Sequence, residues 1–180
     1  MNISSDSTVN KLVLLFVLET IEIPLAENSI LDICSSRNNW INYMECKEIL
    51  YNLLEVGFIY NIDQNGEEPR YNISYEGRNC LSHLYRRIPL ALREEIKEFT
   101  KQNRLAFKRS QEYLADYEKM EDGSYNLKLR IRSPFDSEPM FNVEFRAPSR
   151  SSAINAVRLW REKAPSIYES VYETLIDEDI

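Results

Sequence analysis

Asn42–Leu81 reads NYMECKEILYNLLEVGFIYNIDQNGEEPRYNISYEGRNCL, and the order of its parts decides the fold. Asn42 is an N-cap residue type, and the segment through Val56 places Cys46, Ile49, Leu50 and Leu53 on one face of a helix. Gly57 stands where a helix C-terminus needs a left-handed residue. Phe58–Ile62 then alternates as a strand, Asn65-Gly66 predicts a type I′ turn, and Tyr71–Ser74 is the return strand. Tyr75-Glu76-Gly77 leads into a further helix to about Tyr85.

Upstream, Val9–Ile21 is apolar on most of its circumference and predicts a helix buried in a bundle. Ile23-Pro24-Leu25 breaks it. Glu27–Ser36 predicts a second helix with Ile30, Leu31, Ile33 and Cys34 inward. Three helices followed by a two-stranded hairpin is the order of a winged helix-turn-helix module. Residues 1–87 are therefore expected to form a winged-helix domain.

Beyond the break at Arg87-Ile88-Pro89, a long helix is expected to about Arg109, with Pro89 at its start. Three antiparallel strands follow at Glu112–Lys119, Tyr125–Arg132 and Met140–Ala147, turned at Asp122-Gly123 and Ser133–Asp136. Ser149 caps a helix to Glu162, and Pro165 is expected to start another. Residues 88–180 thus form an α+β domain of long helix, three-stranded meander and C-terminal helix pair, suited to dimerisation or sensing. The fold class is α+β.

Charge complicates the functional reading. The 180-residue chain has a net charge of −7, with five Lys+Arg against twelve Asp+Glu through Cys80 and 17 of each thereafter. Asn42–Leu81 itself holds Lys47, Arg70 and Arg78 against seven carboxylates. A DNA reader uses the exposed start of its third helix, here Asn42, Tyr43, Met44, Lys47 and Tyr51, for base contacts. Its phosphate grip would come from Lys47, Arg37, Arg70 and the stripe Lys97, Lys101, Arg104, Lys108, whose 4-3-4 spacing puts it on one helix face. Lys128, Arg130 and Arg132 share a strand face and are expected to pair with Asp116, Glu118 and Glu144 on the neighbouring strands.

Other chemistry finds little support. His83, the single histidine, follows Cys80 by three residues without a third orienting group, so no enzyme activity is expected. Neither a metal-ligand cluster nor a phosphate-binding glycine loop occurs, so no cofactor is expected. Three cysteines without CxxC spacing imply free thiols in a reducing cytoplasm. Leu12–Leu18 is too short to span a membrane.

The segments KLVLLFVLETIEIPLAENSI (Lys11–Ile30), YNLLEVGFI (Tyr51–Ile59), YNISYEGRNCLSHLYRRIP (Tyr71–Pro89) and APSRSSAINAVRLWREKAPSIYESV (Ala147–Val171) together make a recognisable pattern. It resembles a family of bacterial winged-helix proteins, domain-of-unknown-function family 4364. The resemblance implies a winged-helix first half, an α+β second half and a transcriptional-regulator role. It supplies no catalytic residues. The expected partners are double-stranded DNA and a second copy of the chain. The alternative is a protein-interaction module that docks a basic partner on its acidic face and binds no DNA.

Overall fold

The computed structural model describes residues 7–62, 69–133 and 138–176. The protein is α+β, with six α-helices and two antiparallel three-stranded sheets among the described residues. It divides into two compact units, Met1–Arg104 and Leu105–Ile180.

In the first unit, α1 (Ser7–Ile21) buries Val9, Asn10, Leu12–Leu18 and Ile21, so it has almost no solvent face. It packs against α3, α4 and β3. Its sequel, read from Pro24 as a simple break, contains a strand: β1 (Leu25–Ala26) pairs antiparallel with β3, Leu25 opposite Tyr71 and Ala26 opposite Arg70. Two residues are too few to produce a detectable alternation.

The expected second helix is α2 (Glu27–Leu31) followed by a π-helical turn, Asp32–Arg37. Ile30, Leu31, Ile33 and Cys34 are buried as expected. Cys34 O accepts from both Trp40 N and Ile41 N, which closes the turn. The next helix, α3 (Tyr43–Glu55), starts after the expected cap and ends one residue before the expected Val56, which is its C-cap. Asn42 Oδ1 accepts from Met44 N at 3.0 Å, Cys46, Ile49, Leu50 and Leu53 are buried, and Gly57 ends the helix at φ +76°.

Strands β2 (Ile59–Asn61) and β3 (Arg70–Ile73) pair antiparallel, Ile59 opposite Ile73, which makes β3 the central strand of the order β1-β3-β2. The hairpin tip with Asn65-Gly66 lies outside the described residues. Ser74 caps α4 (Tyr75–Leu84) by accepting from Gly77 N, and a 3-10 turn, Tyr85–Arg87, follows.

The long helix, α5 (Leu90–Glu112), runs one turn past its expected end at Arg109. The units divide at 104/105 and not at the expected 87/88, because the first part of α5 is built into the first unit. Ile88, Ile96 and Thr100 are buried, Trp40 Nε1 donates to Glu95 at 2.8 Å, and the Trp40 ring meets Phe99 edge-on at 5.5 Å.

In the second unit, β4 (Tyr113–Lys119), β5 (Tyr125–Arg132) and β6 (Pro139–Ala147) form an antiparallel meander. Only Ser133 of the expected second turn is described. Leu127, Leu129 and Ile131 project to the face covered by α6 (Arg150–Leu175), where Ala153, Trp160 and Ala164 are buried. Phe141 stacks on Trp160 at 6.5 Å. The expected helix pair is therefore one helix of 26 residues. Pro165 removes one N–H and leaves the Arg161 carbonyl without its usual donor. Pro165 and Arg161 both lie on the exposed side, where water can bond that carbonyl, while Trp160 and Ala164 hold the other side on the sheet.

Candidate functional site

The outward face of α3 carries Asn42, Tyr43, Met44, Glu48 and Tyr51, all exposed, and Met44 at 63 % is more open than Tyr43 and Tyr51. Lys47, Glu45 and Tyr51 of this helix are already engaged with their own unit. Lys47 Nζ lies 3.4 Å from Glu27 Oε1, and the Glu27 carboxylate raises the lysine pKa. Tyr51 donates its hydroxyl to the other oxygen of Glu27 at 3.2 Å. Glu45, half-buried, accepts from the buried Asn10 side chain at 2.8 Å. Glu27 and Asn10 are thus part of this face, and neither was anticipated; they lie 20 and 35 residues from Lys47 and Glu45, beyond any local pattern.

The expected phosphate contacts are not all available to α3. Arg70 is 1 % exposed on the central strand, where all four residues are buried, so it cannot reach a phosphate; this corrects its inclusion. Arg37 is exposed but pairs with Asp32. Around α5, Glu95 and Phe99 flank the buried Ile96–Thr100 stripe on the side that meets Trp40, just before α3. Helical geometry puts Lys97, Lys101 and Arg104 on the other flank. These three line an open cleft of ≈ 500 Å³ with Glu19, Thr20, Glu22 and Thr100. Arg104 pairs with Glu22, and Lys97 has its pKa raised by hydrogen bonds with Tyr85 and Glu94. Lys108 belongs to the second unit, 3.6 Å from Glu112.

A family model for a domain of unknown function, DUF4364, matches residues 10–175. The chain belongs to that family. No curated protein and no solved structure matches it. The DUF4364 match spans both units, so the sheet-and-helix second unit is as much a part of the family pattern as the helical first.

The remaining polar clusters of this DUF4364 chain are accounted for by structure. On the second sheet, Lys128 pairs with Glu118 at 3.0 Å and Arg130 with Asp116 at 3.0 Å, each across the strand boundary and one pair off the direct register. Lys128 lowers the Glu118 pKa, and Glu118 raises that of Lys128. Arg132 is buried and donates to Gln111 O. His83 is exposed, its Nδ1 2.7 Å from Asn79 O on its own helix. Cys34, Cys46 and Cys80 are free thiols. A hydrogen bond with Cys46, reinforced by burial, holds the Cys34 pKa well above its ordinary value, which leaves a protonated and unreactive thiol. Among the described residues, no group of His, Cys, Asp and Glu could hold a metal, and no helix is long and apolar enough to cross a membrane.

Proposed function

We propose that the first unit is a winged helix and that the chain is a cytoplasmic DNA-binding transcriptional regulator, a binding protein and not an enzyme. One observation carries this reading: the order α1-β1-α2-α3-β2-β3, with the two-residue β1 paired beside the central β3. That order frames α3 between a supporting helix and a hairpin, and presents its capped, exposed N-terminus as a recognition helix for the major groove. Asn42, Tyr43, Met44 and Tyr51 are its base-edge candidates. Lys47 and Arg37 supply the phosphate grip. Arg37 sits in an exposed pair and Lys47 in a half-exposed one, weak surface pairs that a phosphate can displace.

Glu27 is the brake on this grip. An anisotropy titration of mixed-sequence duplex should find weak binding at ~50 mM salt that falls about tenfold per bound copy by ~200 mM, as expected for ~2 phosphates each. Glu27→Gln should release Lys47 and tighten low-salt binding several-fold, with the salt slope still that of ~2 phosphates per copy. Failure of both wild type and Glu27→Gln to bind at low salt and micromolar protein would overturn the reading.

A second reading is favoured by a specific observation: Tyr43, Met44 and Tyr51 lie exposed beside Glu48 and Glu55. Exposed tyrosine and methionine are interface residues, and the surrounding acid suits a basic protein partner. The double reversal Glu48→Lys/Glu55→Lys separates the two. It strengthens attachment to DNA and abolishes docking to a basic surface.

A further inference from the structure

Helix α6 carries its charge the wrong way round. Its first half (150–163) has Arg150, Arg158, Arg161 and Lys163 against Glu162, and its second half has Glu169 and Glu173. No acid stands in the first turn and no base in the last. An isolated helix prefers the opposite, acid at its N-terminus and base at its C-terminus. A neighbour laid antiparallel against it would meet each half with the opposite charge. Another copy of the same helix is such a neighbour.

A seam for that neighbour exists. About 100° round from the face buried on the sheet, Ile154, Arg158, Arg161, Pro165, Tyr172 and the cap residue Ile176 follow one another along an exposed stripe. Ile154, Tyr172 and Ile176 are 48 %, 43 % and 61 % exposed, although Ile154 and Tyr172 lie within the helix and could have been polar. Pro165 is the midpoint. Counting outward from it, Arg161 mirrors Glu169, Arg158 mirrors Tyr172 and Ile154 mirrors Ile176. In an antiparallel pair with its two-fold axis at Pro165, each of those contacts occurs twice, as an isologous interface requires. Arg161 faces the partner's acid, Arg158 faces an aromatic ring, and isoleucines close both ends.

We infer that α6 is a homodimerisation helix, pairing antiparallel with α6 of a second copy about an axis at Pro165. The seam is ~33 Å long at ~1.5 Å per residue. With two helices in contact along it, the buried area is on the order of 1,000 Å², the lower end of specific interfaces. This goes beyond the DNA-binding reading and does not depend on it.

Sedimentation equilibrium on the full chain tests the inference. Wild type should dimerise at tens of micromolar. Arg161→Glu should weaken the dimer about tenfold or more, by setting Glu against Glu169 twice. The swap Arg161→Glu/Glu169→Arg should restore it. Pro165→Cys in a Cys80→Ser background should cross-link between copies on mild oxidation, while Cys80→Ser alone should not. The three positions changed on the helix, Arg161, Pro165 and Glu169, are exposed, and circular dichroism checks that the variants remain folded. A monomer at those concentrations, a dimer indifferent to Arg161→Glu, or a swap that fails to restore association would each overturn the pairing.

Discussion

Gly77→Ala should destabilise the first unit by ~3 kcal/mol or more, because the added methyl has nowhere to go. A Cβ on Gly77 would stand 2.1 Å from Phe58 O and 2.9 Å from Ile73 Cγ1. The first of these is a backbone atom, and it is fixed: Phe58 O accepts from Ser74 N at 2.9 Å. Relief would require α4 to lift from the β2 entrance, breaking the Ser74 cap on Gly77 and the Ser74 Oγ bond to Gly57 O. Gly57→Ala is the control, since its Cβ would meet no atom within 4 Å and the cost is the positive φ alone, ~1–2 kcal/mol. A thermal melt should place Gly77→Ala more than ~10 °C below wild type. A midpoint within a few degrees of wild type would show that α4 can move without penalty.

Trp160→Ala should cost the second unit ~3–5 kcal/mol. Trp160 is buried against Leu129, Ile131 and Ala164, stacks on Phe141 and donates Nε1 to Arg130 O at 3.3 Å. A three-stranded sheet with a single covering helix has no second layer to collapse into the space. Trp160→Phe keeps most of the ring contact and loses the hydrogen bond, so it should fall between, at ~1–2 kcal/mol. In either variant Trp40, in the first unit, is the remaining tryptophan. Urea melts followed by its fluorescence and by circular dichroism should therefore separate, the dichroism transition coming first. Coincident transitions near the wild-type midpoint would contradict this account of the core.

Local signals were legible wherever one residue dictates backbone geometry. Asn42 and Gly57 bracket α3, and the alternation Leu127, Leu129, Ile131 gives β5 its inward face without help from the rest of the chain. What escaped was set by distance. The fate of Lys47 depends on Glu27, and that of Glu45 on Asn10. Arg70 reads as a surface cation next to a turn, yet it lies on the strand that β1 and β2 flank on both sides, and β1 is only two residues long. The unit boundary within α5 depends on Trp40 meeting Glu95 and Phe99, more than fifty residues away. Pro165 misleads in the other direction: it is a strong local break signal, overruled because Trp160 and Ala164 are anchored on one side and solvent is available on the other.

The two sheets also set different tasks for the chain as it collapses. The β4-β5-β6 meander joins each strand to its neighbour in sequence, so every ladder pairs segments that are close along the chain. The first sheet cannot be finished that way, because Leu25 must find Tyr71 across α2 and α3. Non-local pairings of this kind slow folding, since the loop entropy is lost before the contact is made. The second unit should thus acquire its sheet early, and the frame around α3 should be the last part of the chain to lock.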